Sequence, residues 1–166
     1  MAAARAQGPF ALRWLRRARA FGRRPLFEQA WMAPAWLLLG VCRAAVLALP
    51  FRRLAPRLGE AHGVHAWVPL ASAAQSERAR RIGRAIRSAA RHTPWDSNCL
   101  AQACAARVLL SVYGVPHGVY MGVGNDAGAM VAHAWVCSGP VAVTGGHGFG
   151  RYTVVGCYAS PARAHA

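Results

Sequence analysis

Across residues 35–49 nearly every position is apolar on all sides of a helical wheel, and Pro50 ends the run. A helix apolar all round is expected to be buried against something else. Residues 51–56 then read as a basic connection punctuated by proline. Residues 59–74 mix Gly, Pro and Ser with little periodicity, which predicts loop. Periodicity resumes at Gln75. Ile82, Ile86 and Ala89 share one face while Arg80, Arg84, Arg87 and Arg91 take the others, predicting an amphipathic helix over 75–92. Thr93-Pro94-Trp95-Asp96-Ser97 breaks the chain and restarts a helix near Asp96, with Asp96 or Ser97 as the cap. That helix should run to about Tyr113, stopped by Gly114 with Pro116 beyond. The period then becomes two. Residues 117–123, 130–137, 140–144 and 152–158 predict strands joined by Gly, Asn and Asp turns. Helices followed by an antiparallel meander make an α+β domain over 75–160, after a basic helical or loop extension over 1–74.

Composition narrows the class. The chain has 166 residues, 55% hydrophobic and 15% charged, enough for one folded domain with one core. Net charge is +15 and all 20 basic residues are Arg, 17 of them before Thr93. A total absence of Lys fits a GC-rich coding sequence, so part of this basicity is codon bias. An Arg-rich nucleic-acid-binding module is the reading that charge alone would favour. No helix-turn-helix or zinc-finger pattern supports it, and no nucleic-acid partner is expected. Cys42, Cys99, Cys104, Cys137 and Cys157 are odd in number and lack CxxC spacing, which argues against disulfides and structural zinc. Reduced thiols in a cytoplasmic protein are expected, with no metal. Gly145-Gly146-His147-Gly148 lacks a phosphate loop's spacing and Lys, so no cofactor is expected. Arg-rich residues 13–24 precede the apolar residues 31–49, but Pro34, Gly40 and Arg43 interrupt them, and no membrane association is expected.

Two residues stand out chemically. Cys99 falls in the first turn of the restarted helix, where unpaired N–H groups and the macrodipole favour a thiolate. Cys104 in the same helix reads as a structural thiol. His133 lies in Val131-Ala-His-Ala-Trp-Val136, whose alternation puts His133, Trp135 and Cys137 on one face. A thiol at a helix start and an imidazole on a following strand are the parts that acyl transfer needs: the ring takes the thiol proton and returns it to the leaving amine. His65-Ala66-Trp67-Val68 repeats the same letters in a loop and reads as coincidence.

Pro94-Trp95-Asp96-Ser97-Asn98-Cys99-Leu100, Gly114-Val115-Pro116, Gly122-Val123, Ala132-His133-Ala134-Trp135, Val143-Thr144-Gly145-Gly146 and Arg151-Tyr152-Thr153-Val154-Val155 occur in that order. The series resembles the lasso peptide biosynthesis B protein in its standalone protease form, of the microcin-processing, transglutaminase-like and papain-like superfamily. The segments 49–54 and 81–86 also look like that family, so the resemblance covers about residues 35–158. It implies a transglutaminase-like cysteine protease core. It implies too a leader peptidase that frees the core of a ribosomal precursor peptide, with Cys99 as nucleophile and His133 as base. A cyclase of the asparagine-synthetase type would then close the macrolactam. Relatives with a full triad carry an Asp after the His strand, and here 141–147 holds no carboxylate. Thr144 or a backbone carbonyl is the candidate to orient the ring. Asn98 and Trp95 are candidates to join the Cys99 N–H in an oxyanion hole. Residues 1–60 show no set of strands for a leader-recognition domain, so a separate leader-recognition protein is expected, with residues 35–49 as a candidate docking surface. A transglutaminase or amidase using the same pair, and an inactive scaffold of this fold, are the other readings.

Overall fold

The computed structural model describes residues 26–161. Helix α1 (Leu26–Ala48) starts earlier than the apolar run suggests and continues through Pro34. A proline within a helix removes one hydrogen bond, and here packing outweighs that loss: Ala35 and Leu39 are fully buried. A short helix α2 (Phe51–Leu54) and a 3₁₀ turn (Ala55–Arg57) follow, where the sequence suggested only a connection. Helix α3 (Ala73–Ala90) begins at a reciprocal cap: Ser72 Oγ accepts from Gln75 N–H, and Gln75 Oε1 from Ser72 N–H. Helix α4 (Cys99–Val112) leads into the sheet.

The strands are β1 (Glu60–Ala61), β2 (His117–Asp126), β3 (Ala129–Ser138), β4 (Val141–Thr144) and β5 (Thr153–Ser160). All pairings are antiparallel, in the order β1-β5-β2-β3-β4. The sheet is therefore not the expected meander, because β5 returns beside β2 instead of turning back on β4. The segment after β4 explains the detour, since it folds over Trp135: the Phe149 ring stands edge-on to it at 5.4 Å, and Gly148 packs flat against the indole. The loop expected over 59–74 contributes β1 to the opposite edge.

Strand pleating separates two cores. Val119, Ala134, Val136 and Val143 face the helices and pack with Leu39, Ile82, Ile86 and Leu110. Tyr120, Trp135, Cys137 and Cys157 form a smaller cluster on the other face. Residues on α1, within the stretch expected as an extension, thus share the main core. Residues 1–25 of that stretch lie outside the described residues. Helix α3 comes so close to β4 that a Cβ on Gly83 would lie 2.6 Å from the Val143 carbonyl oxygen.

Candidate active site

Asn98 sets the register of the helix that carries the thiol. Its Oδ1 accepts from Ala101 N–H at 3.0 Å, so Cys99 is the first helical residue. The start expected near Asp96 is corrected by three residues. Asp96 instead pairs with Arg43 of α1 at 3.7 Å, and Ser97 Oγ lies 2.9 Å from Thr93 Oγ1. Thr93 also reaches the Ala90 and Trp95 carbonyls, at 2.9 and 3.0 Å, and Gln102 Nε2 donates to the Ser97 carbonyl at 2.7 Å. These bonds tie the loop before Cys99 at both ends.

Helix α1 braces the same loop. The Trp95 ring packs on Trp36 at 4.6 Å and lies over Gly40, where a Cβ would stand 3.0 Å from Trp95 Cζ2. Trp36 Nε1 donates to the His92 carbonyl at 3.2 Å. Glycine at position 40, which looked like an interruption of an apolar helix, leaves the space that the indole fills.

On β3, His133 Nε2 lies 2.7 Å from the Gly145 carbonyl oxygen. A carbonyl can only accept, so Nε2 carries the proton of the neutral ring and Nδ1 keeps the lone pair. The ring is stacked on Tyr152 at 4.8 Å and on Trp135 at 6.1 Å. Thr144 does not hold it: that hydroxyl is buried without a hydrogen-bond partner. Asp126 is exposed at the tip of the β2–β3 hairpin, beyond the rung that pairs His133 with Gly122. Of the two oxyanion candidates, Asn98 spends its oxygen on the cap and keeps a free amide. Trp95 Nε1 is buried without a partner.

Cys99 is half-buried against the helix-side core, and no hydrogen bond among the described residues joins it to His133. His133 shares the face of Trp135, while its neighbour Ala134 faces the helices. An open cavity of about 430 Å³ lies beside the Cys99 loop, lined by Arg87, Arg91, Trp95, Asp96, Ser97 and Gln102. No group of three or more His, Cys, Asp or Glu among the described residues could hold a metal ion.

Sequence reasoning passed over His117. It is 1% exposed beside a second cavity of about 340 Å³, at the end of the molecule where α4 runs into β2. Its Nδ1–H donates to the Val115 carbonyl at 2.8 Å, and Nε2 has no partner. Burial, helped by the Arg107 charge, pushes its pKa down to about 4 against the bond to Val115. The unfolded chain takes up a proton below about 6.5 and the folded one resists until about 4. The stabilisation is therefore present above pH 6.5 and is lost as pH falls towards 4, on the order of 3 kcal/mol. Thermal melting of the wild type should drop steeply over that window. His117→Asn keeps a donor for Val115 and should drop much less; parallel curves for the two proteins would rule the histidine out.

Residues 45–157 match the family model described as Transglutaminase-like superfamily. No curated protein and no solved structure matches the chain.

Proposed function

The chain belongs to the transglutaminase-like superfamily, and from that premise we propose that it is a cysteine peptidase that removes the leader from a ribosomally made lasso peptide precursor. One observation carries the reading. Cys99 occupies the first position of α4, and the one strand histidine of the motif series has its ring oriented so that Nδ1 is the basic nitrogen. The helix macrodipole favours negative charge on the sulfur.

In the proposed reaction Nδ1 of His133 takes the thiol proton and the thiolate attacks the scissile carbonyl. The oxyanion is met by the Cys99 backbone N–H, one of the donors unpaired at a helix start. Collapse expels the core peptide's amine, which takes the proton from the imidazolium. Water, deprotonated by the same ring, then releases the leader as a carboxylic acid and restores the thiol. In this reading the Gly145 carbonyl takes the orienting role of a triad carboxylate, without neutralising the ring's charge.

The reaction requires the ring to approach the thiol. β4 pairs only with 136–138 of β3, and beyond that pairing the Gly145 carbonyl holds the His133 ring at the strand edge. Catalytic hydrogen bonds in unliganded enzymes are often unformed. The freed amine would go to a cyclase of the asparagine-synthetase type, and a separate leader-recognition protein would deliver the precursor, all in the cytoplasm. The absence of a Cys99–His133 bond and of a carboxylate favours a second reading, a non-catalytic scaffold of the same fold.

The test is incubation of purified protein with its precursor peptide and the leader-binding partner, read by mass spectrometry. Separate leader and core from the wild type, absent with Cys99→Ala, are expected. A product lighter by ammonia would make it a transferase, and an intact precursor with the partner bound would favour the scaffold.

A further inference from the structure

From Ala33 to Ala48 the side of α1 turned away from the core carries no polar residue. Ala33, Leu37, Val41, Ala44, Leu47 and Ala48 recur at intervals of three and four and are all exposed, Leu37 at 61%, Val41 at 67% and Leu47 at 71%. Helix faces open to water are normally polar, and an exposed apolar stripe marks an interaction surface. Phe51, 44% exposed, extends the stripe past the helix end.

Charge identifies what covers it. Between Glu28 and Arg52 the only charged residue is Arg43, which is paired with Asp96. Seven Arg residues and no acid precede Glu28, and Arg52, Arg53 and Arg57 follow the helix. An apolar stripe with arginines beyond both ends is complementary to an anionic bilayer surface, with acyl chains under the stripe and lipid phosphates beside the arginines. A protein partner would more naturally meet a face that mixes polar and apolar groups.

We propose that the protein binds anionic lipid surfaces through this face of α1. The helix stretch Gln29–Ala48 is long and apolar enough to cross a membrane, but its other side is built into the core through Ala35, Leu39 and Cys42. It therefore lies in the interface while the domain stays folded, with its long axis along the surface. The docked helix is the one that braces Trp95 through Trp36 and Gly40, so the loop before Cys99 flanks the bound face.

Flotation of the full chain with vesicles tests this, using phosphatidylcholine alone or with about a third phosphatidylglycerol, in low and high salt. The wild type should float with the anionic vesicles only, and should be at least tenfold less bound after Leu37→Glu, Val41→Glu and Leu47→Glu together. These side chains are exposed, so melting should be unchanged. Should the triple variant misfold, Val41→Gln alone and the pair Arg52→Gln, Arg53→Gln must each weaken flotation. Equal flotation of wild type and stripe variants would overturn the proposal, leaving charge alone. So would no flotation of the wild type, or a dimer in light scattering that the stripe variant abolishes, which would assign the face to a second copy.

Discussion

His133→Ala is expected to lower kcat/KM for precursor cleavage by roughly 10²–10⁴-fold, the range a positioned general base supplies, with the fold retained. The substitution removes the bond to the Gly145 carbonyl and the stacking on Tyr152, both peripheral to the helix-side core. A second readout needs no substrate. Burial pushes Cys42 up to about 12 and Cys137 up to about 11, and it also raises Cys104 and Cys157. Iodoacetamide at neutral pH should therefore label Cys99 ahead of the other four, because alkylation follows the thiolate. If His133 comes to the thiol, labelling of Cys99 in the presence of peptide should slow in His133→Ala. Identical labelling rates, with no cleavage by the wild type, would leave the scaffold reading standing.

The distribution of legible and illegible features has a physical pattern. Helix α3, helix α4 and strands β2 to β5 could be read because each follows its own period and is bounded by turn or stop residues, such as Gly114 after α4, although the Ser72 cap that starts α3 went unread. The two-residue strand β1 and the return of β5 beside β2 could not. Both depend on what a loop packs against: the 145–152 segment goes over Trp135, and nothing within its own letters states that. Pro34 and Gly40 misled for the same reason. They read as interruptions, whereas α1 passes through the first and uses the second to seat Trp95.

At the candidate site, position was legible and distance was not. The Cys99 helix start was visible in the letters around Asn98, but the choice of Asn98 over Asp96 or Ser97 as the cap came from tertiary bonds to Arg43 and Thr93. Alternation did place His133 with Trp135 and Cys137 on one face. It could not say that the helices pack on the opposite face, because both faces of β3 are apolar there.

Gly145→Ala is expected to disrupt both stability and the His133 site, and Gly146→Ala is its control. Both glycines have positive φ, +74° and +68°, which costs an L-residue about 1–2 kcal/mol. Their surroundings differ completely. A Cβ at 145 would lie 2.5 Å from the Ala134 carbonyl oxygen and 2.8 Å from Trp135 Cα, both backbone atoms of the strand that carries His133. At 146 nothing lies within 4 Å. Backbone cannot rotate aside as a side chain can, so the added methyl at 145 must push the 145–152 segment off β3, adding roughly 1–3 kcal/mol. The Gly145 carbonyl then leaves the His133 ring, and Trp135 loses part of its cover. Melting should fall by several degrees more in Gly145→Ala than in Gly146→Ala. Cleavage should fall towards the His133→Ala level only in Gly145→Ala. If Gly145→Ala lost stability but kept wild-type turnover, the carbonyl would have no part in orienting the ring. His133 would then need another partner in the working state.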